Sequence, residues 1–222
     1  MSDYFAKLRT DAWRTSSARY NAARRLKRKE LFSTISLAFF SVLTIAMAVI
    51  QKVYSVEMRA ITGLDNYVTS LSILAGIFII VISLMEWGSR NGSNADALFK
   101  NAEELNSLQR SIHLEILKPS AADDARWNVA ERLLSNYEQI KSRCEINHSQ
   151  LDDHYFRSKH RSSAEFAGYK IEPCEALWIA FLWHLSSVWY YLIFWIISAG
   201  ALSPVITKIA FFSAAPCGLS GG

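Results

Sequence analysis

Charge is what two parts of this 222-residue chain lack. From Leu31 to Ile50, between Glu30 and Lys52, 20 consecutive residues carry no ionisable group, and from Asn66 to Met85, between Asp65 and Glu86, another 20 carry no charge. At about 1.5 Å per residue each run spans about 30 Å, the hydrocarbon thickness of a bilayer. Both are apolar all round rather than along one stripe, which excludes the usual amphipathic core helix. A cleaved leader is excluded for the first, which starts after 30 polar, basic residues. Cysteine is scarce as well. Cys144, Cys174 and Cys217 stand singly and far apart, so neither a disulfide framework nor a zinc site is indicated. No stretch alternates with period two, and no glycine-rich phosphate loop or internal repeat is present. The expected fold class is therefore an all-α membrane protein.

The missing intramembrane charge also excludes functions. Without a carboxylate, Lys or Arg in either run, a proton relay, an ion-coupled transporter and an intramembrane hydrolase lose their chemistry. A third uncharged stretch lies between Glu175 and Lys208 and contains Trp178, Trp183, Trp189 and Trp195 with Tyr190 and Tyr191. It predicts a third crossing over residues 176–203, followed by a tail at 204–222. His184 is its one group with an ordinary pKa near neutrality, read as a packing residue rather than a switch.

What is present sets the orientation. Residues 1–30 hold nine Lys or Arg against three acids, with Arg24, Arg25, Lys27, Arg28 and Lys29 crowded before the first run. This cluster predicts a cytoplasmic amino end and contacts with anionic lipid headgroups. The connector at 51–65 is balanced in charge and belongs on the far face, which returns residues 88–175 to the cytoplasm. That stretch has twelve basic and fifteen acidic residues between Glu86 and Glu175, so the sequence pI near 9.0 does not imply nucleic-acid binding.

Within residues 1–30, Phe5, Leu8, Ala12 and Trp13 recur at helical spacing, as in a helix lying on a membrane surface or a solvated extension of the first crossing. The transmembrane hairpin covers 31–87, with crossings at 31–50 and 66–87. Gly88, Asn91 and Gly92 break the second crossing near Trp87, and Ser93 or Asn94 caps a cytosolic helical domain over 93–175. Leu98, Ala102, Leu105, Ile112 and Ile116 form an apolar stripe. Pro119 ends that helix, Ser120 with Asp123 resembles a capping box, and Trp127, Ala130, Leu134, Tyr137, Ile140 and Cys144 form a second stripe that pairs with the first as a helical hairpin.

Two constellations carry candidate chemistry. On the first crossing Ser33, Thr34, Ser41, Thr44 and Ala48 fall within an arc of about 100°, and on the second Ser72, Gly76 and Ser83 share a face. Such small, hydroxyl-bearing sides either face each other or line a water-filled path between copies, because two or three helices cannot enclose a pore alone. In the cytosolic part, Arg143 and His148 have the Arg-x4-His spacing of HEPN-type ribonucleases, where His takes a proton and Arg stabilises phosphate charge. His148, His154 and His160 step by six residues, which does not keep one helical face for a metal. No cofactor or metal is expected.

The basic helix, the hairpin, the helical pair and the run Tyr137-Glu-Gln-Ile-Lys-Ser-Arg-Cys-Glu-Ile-Asn147-His148-Ser-Gln-Leu-Asp152-Asp-His-Tyr155 together resemble the SLATT family. These are two-transmembrane effectors associated with SMODS nucleotidyltransferases and SLOG sensors, and the resemblance is to the fifth subfamily, over roughly residues 1–165. Tyr137, Asn147, His148 and Asp152 match its motif. The resemblance implies a bacterial antiphage effector of abortive-infection type that permeabilises the inner membrane when a partnered sensor is triggered. It also implies partnership with a nucleotidyltransferase, a reverse transcriptase or a CRISPR component. The leading expectation is a homo-oligomeric, non-enzymatic, pore-forming effector. The alternatives are a membrane-tethered ribonuclease using Arg143 and His148, and a scaffold that recruits a soluble enzyme to the membrane.

Overall fold

The computed structural model describes residues 2–61, 63–118 and 123–214. Among these there is no strand. The helices are α1 (Ser2–Val53), α2 (Ser55–Ala60), α3 (Leu64–Ser89), α4 (Asn91–Leu117), α5 (Asp123–Ser142), α6 (Gln150–Lys159), α7 (Pro173–Leu185) and α8 (Trp189–Ala214), with a 3-10 turn at Ala167–Tyr169. The chain divides into an amphipathic unit, Met1–Glu30 with Arg90–Ser187, and an apolar unit, Leu31–Ser89 with the chain from Val188.

In the amphipathic unit the first 30 residues of α1 are a core element. Phe5, Leu8 and Ala12 are buried against Leu105, Leu108 and Ile112 of α4 and Ala130, Leu133 and Tyr137 of α5. Neither the surface-lying helix nor the solvated extension expected for this segment is found. Its apolar face is covered by protein, and the α-helix continues without interruption into the first apolar run. Further along α1, Ala22 and Ala23 pack on Leu98, with Cys144 and Ile146 beside them.

The α4 stripe is buried as its spacing requires, with Leu98, Ala102, Leu105 and Ile112 fully enclosed and Ile116 partly so. In α5 the register differs from expectation: Ala130, Leu133 and Tyr137 point inward, whereas Trp127 and Leu134 are exposed. The helix presents a 130-133-137-140 face, and Leu134, next to Leu133, is rotated by about 100° out of it. The expected capping box at Ser120 and Asp123, and Pro119, lie outside the described side chains. Between α3 and α4 the break falls at Arg90, in the left-handed region at φ 47°, while Gly88 and Gly92 are both helical. Neither Ser93 nor Asn94 caps α4. Ser93 lies inside it and donates to the carbonyl of Arg90 at 3.2 Å.

In the apolar unit, α1, α3 and α8 enclose Phe40, Met47, Val68, Leu71, Ala75, Ile82, Tyr191 and Val205. Among the described residues three helices are long and apolar enough to cross a membrane, the third over Trp189–Thr207. The third hydrophobic block is thus not one helix over 176–203. A turn at 186–188 divides it, so that α7 belongs to the amphipathic unit and α8 to the apolar one. His184 accordingly lies outside the membrane-spanning segment. Trp195 of α8 donates its indole N–H to Ser36 on α1 at 3.0 Å, satisfying two polar groups that hydrocarbon could not.

The α5 register is testable. We expect Leu133→Ala to destabilise the amphipathic unit by about 2–5 kcal/mol and Leu134→Ala by under about 1 kcal/mol, measured by denaturation of the detergent-solubilised chain. Equal losses would contradict this register.

Candidate functional site

The polar chemistry of the amphipathic unit converges on two adjacent carboxylates at the start of α6. Ser149 caps that helix in a capping box: its hydroxyl accepts from the Asp152 backbone N–H, and Asp152 accepts from the Ser149 backbone N–H at 3.0 Å. Asp152 is fully buried. Its Oδ1 accepts from Nε of Arg25 at 3.0 Å and from the Trp183 indole at 2.9 Å, and its Oδ2 accepts from the same Arg25 guanidinium at 2.9 Å and from the Ser149 hydroxyl at 2.7 Å. One carboxylate therefore ties together α1, the α6 cap and α7. Trp183 is stacked on Tyr155, with ring centroids 4.3 Å apart and planes 9° from parallel.

Asp153 faces the same helix from the next position. It accepts from Arg14 Nε at 2.6 Å and from the same guanidinium at 2.7 Å, and from Arg157 at 2.6 Å. Arg14 and Arg25 are eleven residues, three turns, apart on α1 and so share a face. Burial pushes both carboxyls up, but the hydrogen bonds and charge of Arg25 and Ser149 on Asp152, and of Arg14 and Arg157 on Asp153, outweigh it and hold both below the usual carboxylate range.

Beside this node lies a polar cavity of about 530 Å³ lined from α1 by Asp11, Arg14, Thr15 and Arg19, from α5 by Tyr137 and Lys141, and from the following segment by Asn147 and His148. The Tyr137 hydroxyl is hydrogen-bonded to Thr15 at 2.9 Å, and Asn147 accepts from the His148 backbone N–H at 2.9 Å. Three of the four motif positions, Tyr137, Asn147 and His148, thus share one cavity, while Asp152 forms the adjacent node. Burial holds His148 below its ordinary value, with Arg19 and Arg14 acting in the same direction against Asp153 and Asp152.

The Arg143–His148 pair expected for a ribonuclease is not assembled. Arg143 is exposed, paired with Glu104 at 3.0 Å, and borders a different cavity with Ser107 and Gln139. His148 lies five residues beyond Arg143, past the end of α5, and the two side chains border different cavities. Among the described residues no three His, Cys, Asp or Glu side chains converge on a metal position.

The basic cluster before the first crossing is divided in use. Arg24 is exposed, and Lys27 pairs with Glu30 at 2.7 Å. Arg25 is held by Asp152, and Arg28 donates to Nδ1 of His184 at 2.7 Å and lies over the Trp183 ring at 4.8 Å. Arg25 and Arg28 are thus held within the protein, and Lys29 is half-buried.

In the apolar unit, the small residues do not form the contact between α1 and α3, which is made by Phe40, Met47, Val68, Leu71 and Ile82. Ser33 is fully buried, Ser41 and Ser83 are exposed, and Thr44, Ser72 and Gly76 are half-buried. Ser41, Thr44 and Ser72 donate to the carbonyl one turn back, at 2.7, 2.8 and 3.1 Å. No atom lies within 4 Å of where a Cβ on Gly76 would sit, so that glycine does not serve close packing within this chain. Sequence reasoning missed Ser36, Arg14, Arg19, Asp153 and Trp183. The three-turn spacing of Arg14 and Arg25 was the readable signal for two of their contacts.

Together these features define an all-α membrane protein in which three candidate crossings are joined to a helical polar unit. The chain matches the family described as SMODS and SLOG-associating 2TM effector domain family 5 over residues 1–206 and belongs to it. The match reaches past residue 165 and takes in α7 and most of α8. The domain is an effector domain of defence systems. No curated protein and no solved structure matches the chain.

The carboxylate node gives a signed pH prediction. Because both folded values are lowered, their stabilisation is fully present above the unfolded value of about 4 and is lost as pH falls through the folded values. We expect Asp152→Asn to cost about 3–5 kcal/mol at neutral pH, since it leaves Arg25 buried without its counter-charge, and to flatten the acid limb of stability measured by fluorescence or circular dichroism. An unchanged acid limb would contradict the assignment.

Proposed function

We propose that the chain is a non-enzymatic effector that assembles into homo-oligomers in the bacterial inner membrane and dissipates ion gradients when a sensor of its defence system is triggered. One observation carries this reading: the contact between α1 and α3 is made by large side chains, while Ser41 and Ser83 lie on the outside. The void among Leu43, Met47, Leu71 and Phe78 amounts to about 10 Å³, barely one water. An aqueous path therefore has to run between copies. Two lines at seven-residue steps suit that role, Thr34, Ser41 and Ala48 on α1, and Thr69, Gly76 and Ser83 on α3, each lined with hydroxyl or small groups and none wholly enclosed.

The folding of residues 1–30 with 90–187 into one unit supports a single membrane face for both, and the basic excess of 1–30 supports the cytoplasm as that face. There the polar unit would meet its partner. The separation of Arg143 from His148 weighs against the ribonuclease alternative.

Inducing the protein in cells carrying a potential-sensitive dye tests the proposal. Depolarisation is expected to accompany toxicity, and Ser41→Leu combined with Ser83→Leu is expected to abolish it while leaving membrane insertion intact. Toxicity with unchanged potential, or a detergent-solubilised particle of monomeric mass, would overturn it.

A further inference from the structure

Arg19 sits where a positive charge is hardest to keep. It is 2% exposed, and among the described residues no carboxylate pairs with it. Its two terminal nitrogens donate to neutral acceptors, the side-chain oxygen of Asn101 and, at 3.2 Å, the backbone carbonyl of Lys141. Its Nε has no partner at all. Burial lowers the pKa of the guanidinium. A buried, uncompensated cation is strongly unfavourable unless something supplies the opposite charge.

The place where that charge could enter is open. Arg19 lines the cavity of about 530 Å³, and so does His148, whose Nδ1 is likewise buried and without a partner. The other charges of the lining do not answer Arg19. Lys141 is paired with Glu138 at 2.9 Å, and Arg14 is held by Asp153. Asp11 and Glu145 also line the cavity, Glu145 exposed and Asp11 half-buried, so the formal charge of the wall is balanced while its buried end is cationic. Arg19 and His148, whose Nε and Nδ1 have no partner, line a volume several times that of a lone oxyanion and within the roughly 300–1,000 Å³ of small-molecule sites.

We propose that this cavity binds a small phosphate-bearing molecule, with its phosphate against Arg19 and His148 and the remainder of the molecule beside Tyr137, Thr15 and Asn147. Phosphate fits better than a carboxylate because it offers acceptors in several directions to donors that arrive from α1 and from the 143–149 segment separately. The site does not depend on the conductance reading. It would stand if the protein proved to be a scaffold, and it could fail in a protein that conducts.

The test is titration of the full-length, detergent-solubilised protein with inorganic phosphate, adenosine monophosphate and citrate, at constant ionic strength, following thermal stability and heat of binding. Saturable stabilisation by phosphate or the monophosphate at millimolar concentration or below is expected, with citrate weaker. Arg19→Gln is expected to weaken that binding about tenfold or more, the worth of a charge-assisted hydrogen bond, while leaving the unliganded protein no less stable. Arg24→Gln, at an exposed arginine outside the cavity, should bind as the parent does. His148→Ala should weaken binding similarly and decides the matter if Arg19→Gln does not fold. Failure of both phosphate probes to bind, preference for citrate, or equal response in His148→Ala and the parent would overturn the assignment.

Discussion

The carboxylate of Asp152 is the constraint on which the amphipathic unit depends. It is removed from water, and its five hydrogen bonds come from Arg25 on α1, Ser149 at the α6 cap and Trp183 on α7. Taking a carboxylate out of water is strongly unfavourable on its own and becomes tolerable only when all its acceptor sites are used. The geometry is correspondingly demanding: Arg25 must lie three turns from Arg14, Ser149 three residues before Asp152, and Trp183 under Tyr155. Such an arrangement stabilises less than its hydrogen-bond number suggests, but it rejects other packings of α1 on the unit.

α1 runs from Ser2 to Val53, and its first 30 residues belong to the unit that Asp152 and Asp153 clamp. In the apolar unit large side chains such as Phe40, Met47 and Ile82 lie inside, and lipid-suited Ile45, Val49, Ile80 and Leu84 lie outside. What departs from a lipid-facing surface is the Ser41 and Ser83 positions, and these give the proposed assembly its reason. Asp, Glu, Lys, Arg and His, which would imply transport chemistry, are absent from the 31–50 and 66–85 runs.

Much of this was legible in the sequence because the strongest signals are one-dimensional. Two uncharged runs of crossing length and the α4 stripe follow from composition and period alone. The rest required three dimensions. The burial of Phe5, Leu8 and Ala12 reads equally as a membrane-surface face until α4 and α5 are seen to cover it. Leu133 and Leu134 are both apolar, and which one points inward depends on where α5 begins. The Trp-rich block has no charge to mark its division, and the turn at 186–188 contains no Gly or Pro to announce it. Arg25 reads as a headgroup contact because its partner is 127 residues away. The cavity beside Arg19 had no sequence signature, since a missing counter-ion is a fact about space.

Arg25 and Asp152 act as one unit that fixes α1 to α6 and α7. A double-mutant cycle with Arg25→Met and Asp152→Asn, read as the opening free energy of α6 backbone amides by native-state hydrogen exchange, measures that coupling directly. A coupling of about 2 kcal/mol or more is predicted, with the double variant more stable than the sum of the single losses implies. Additivity within about 0.5 kcal/mol would contradict it.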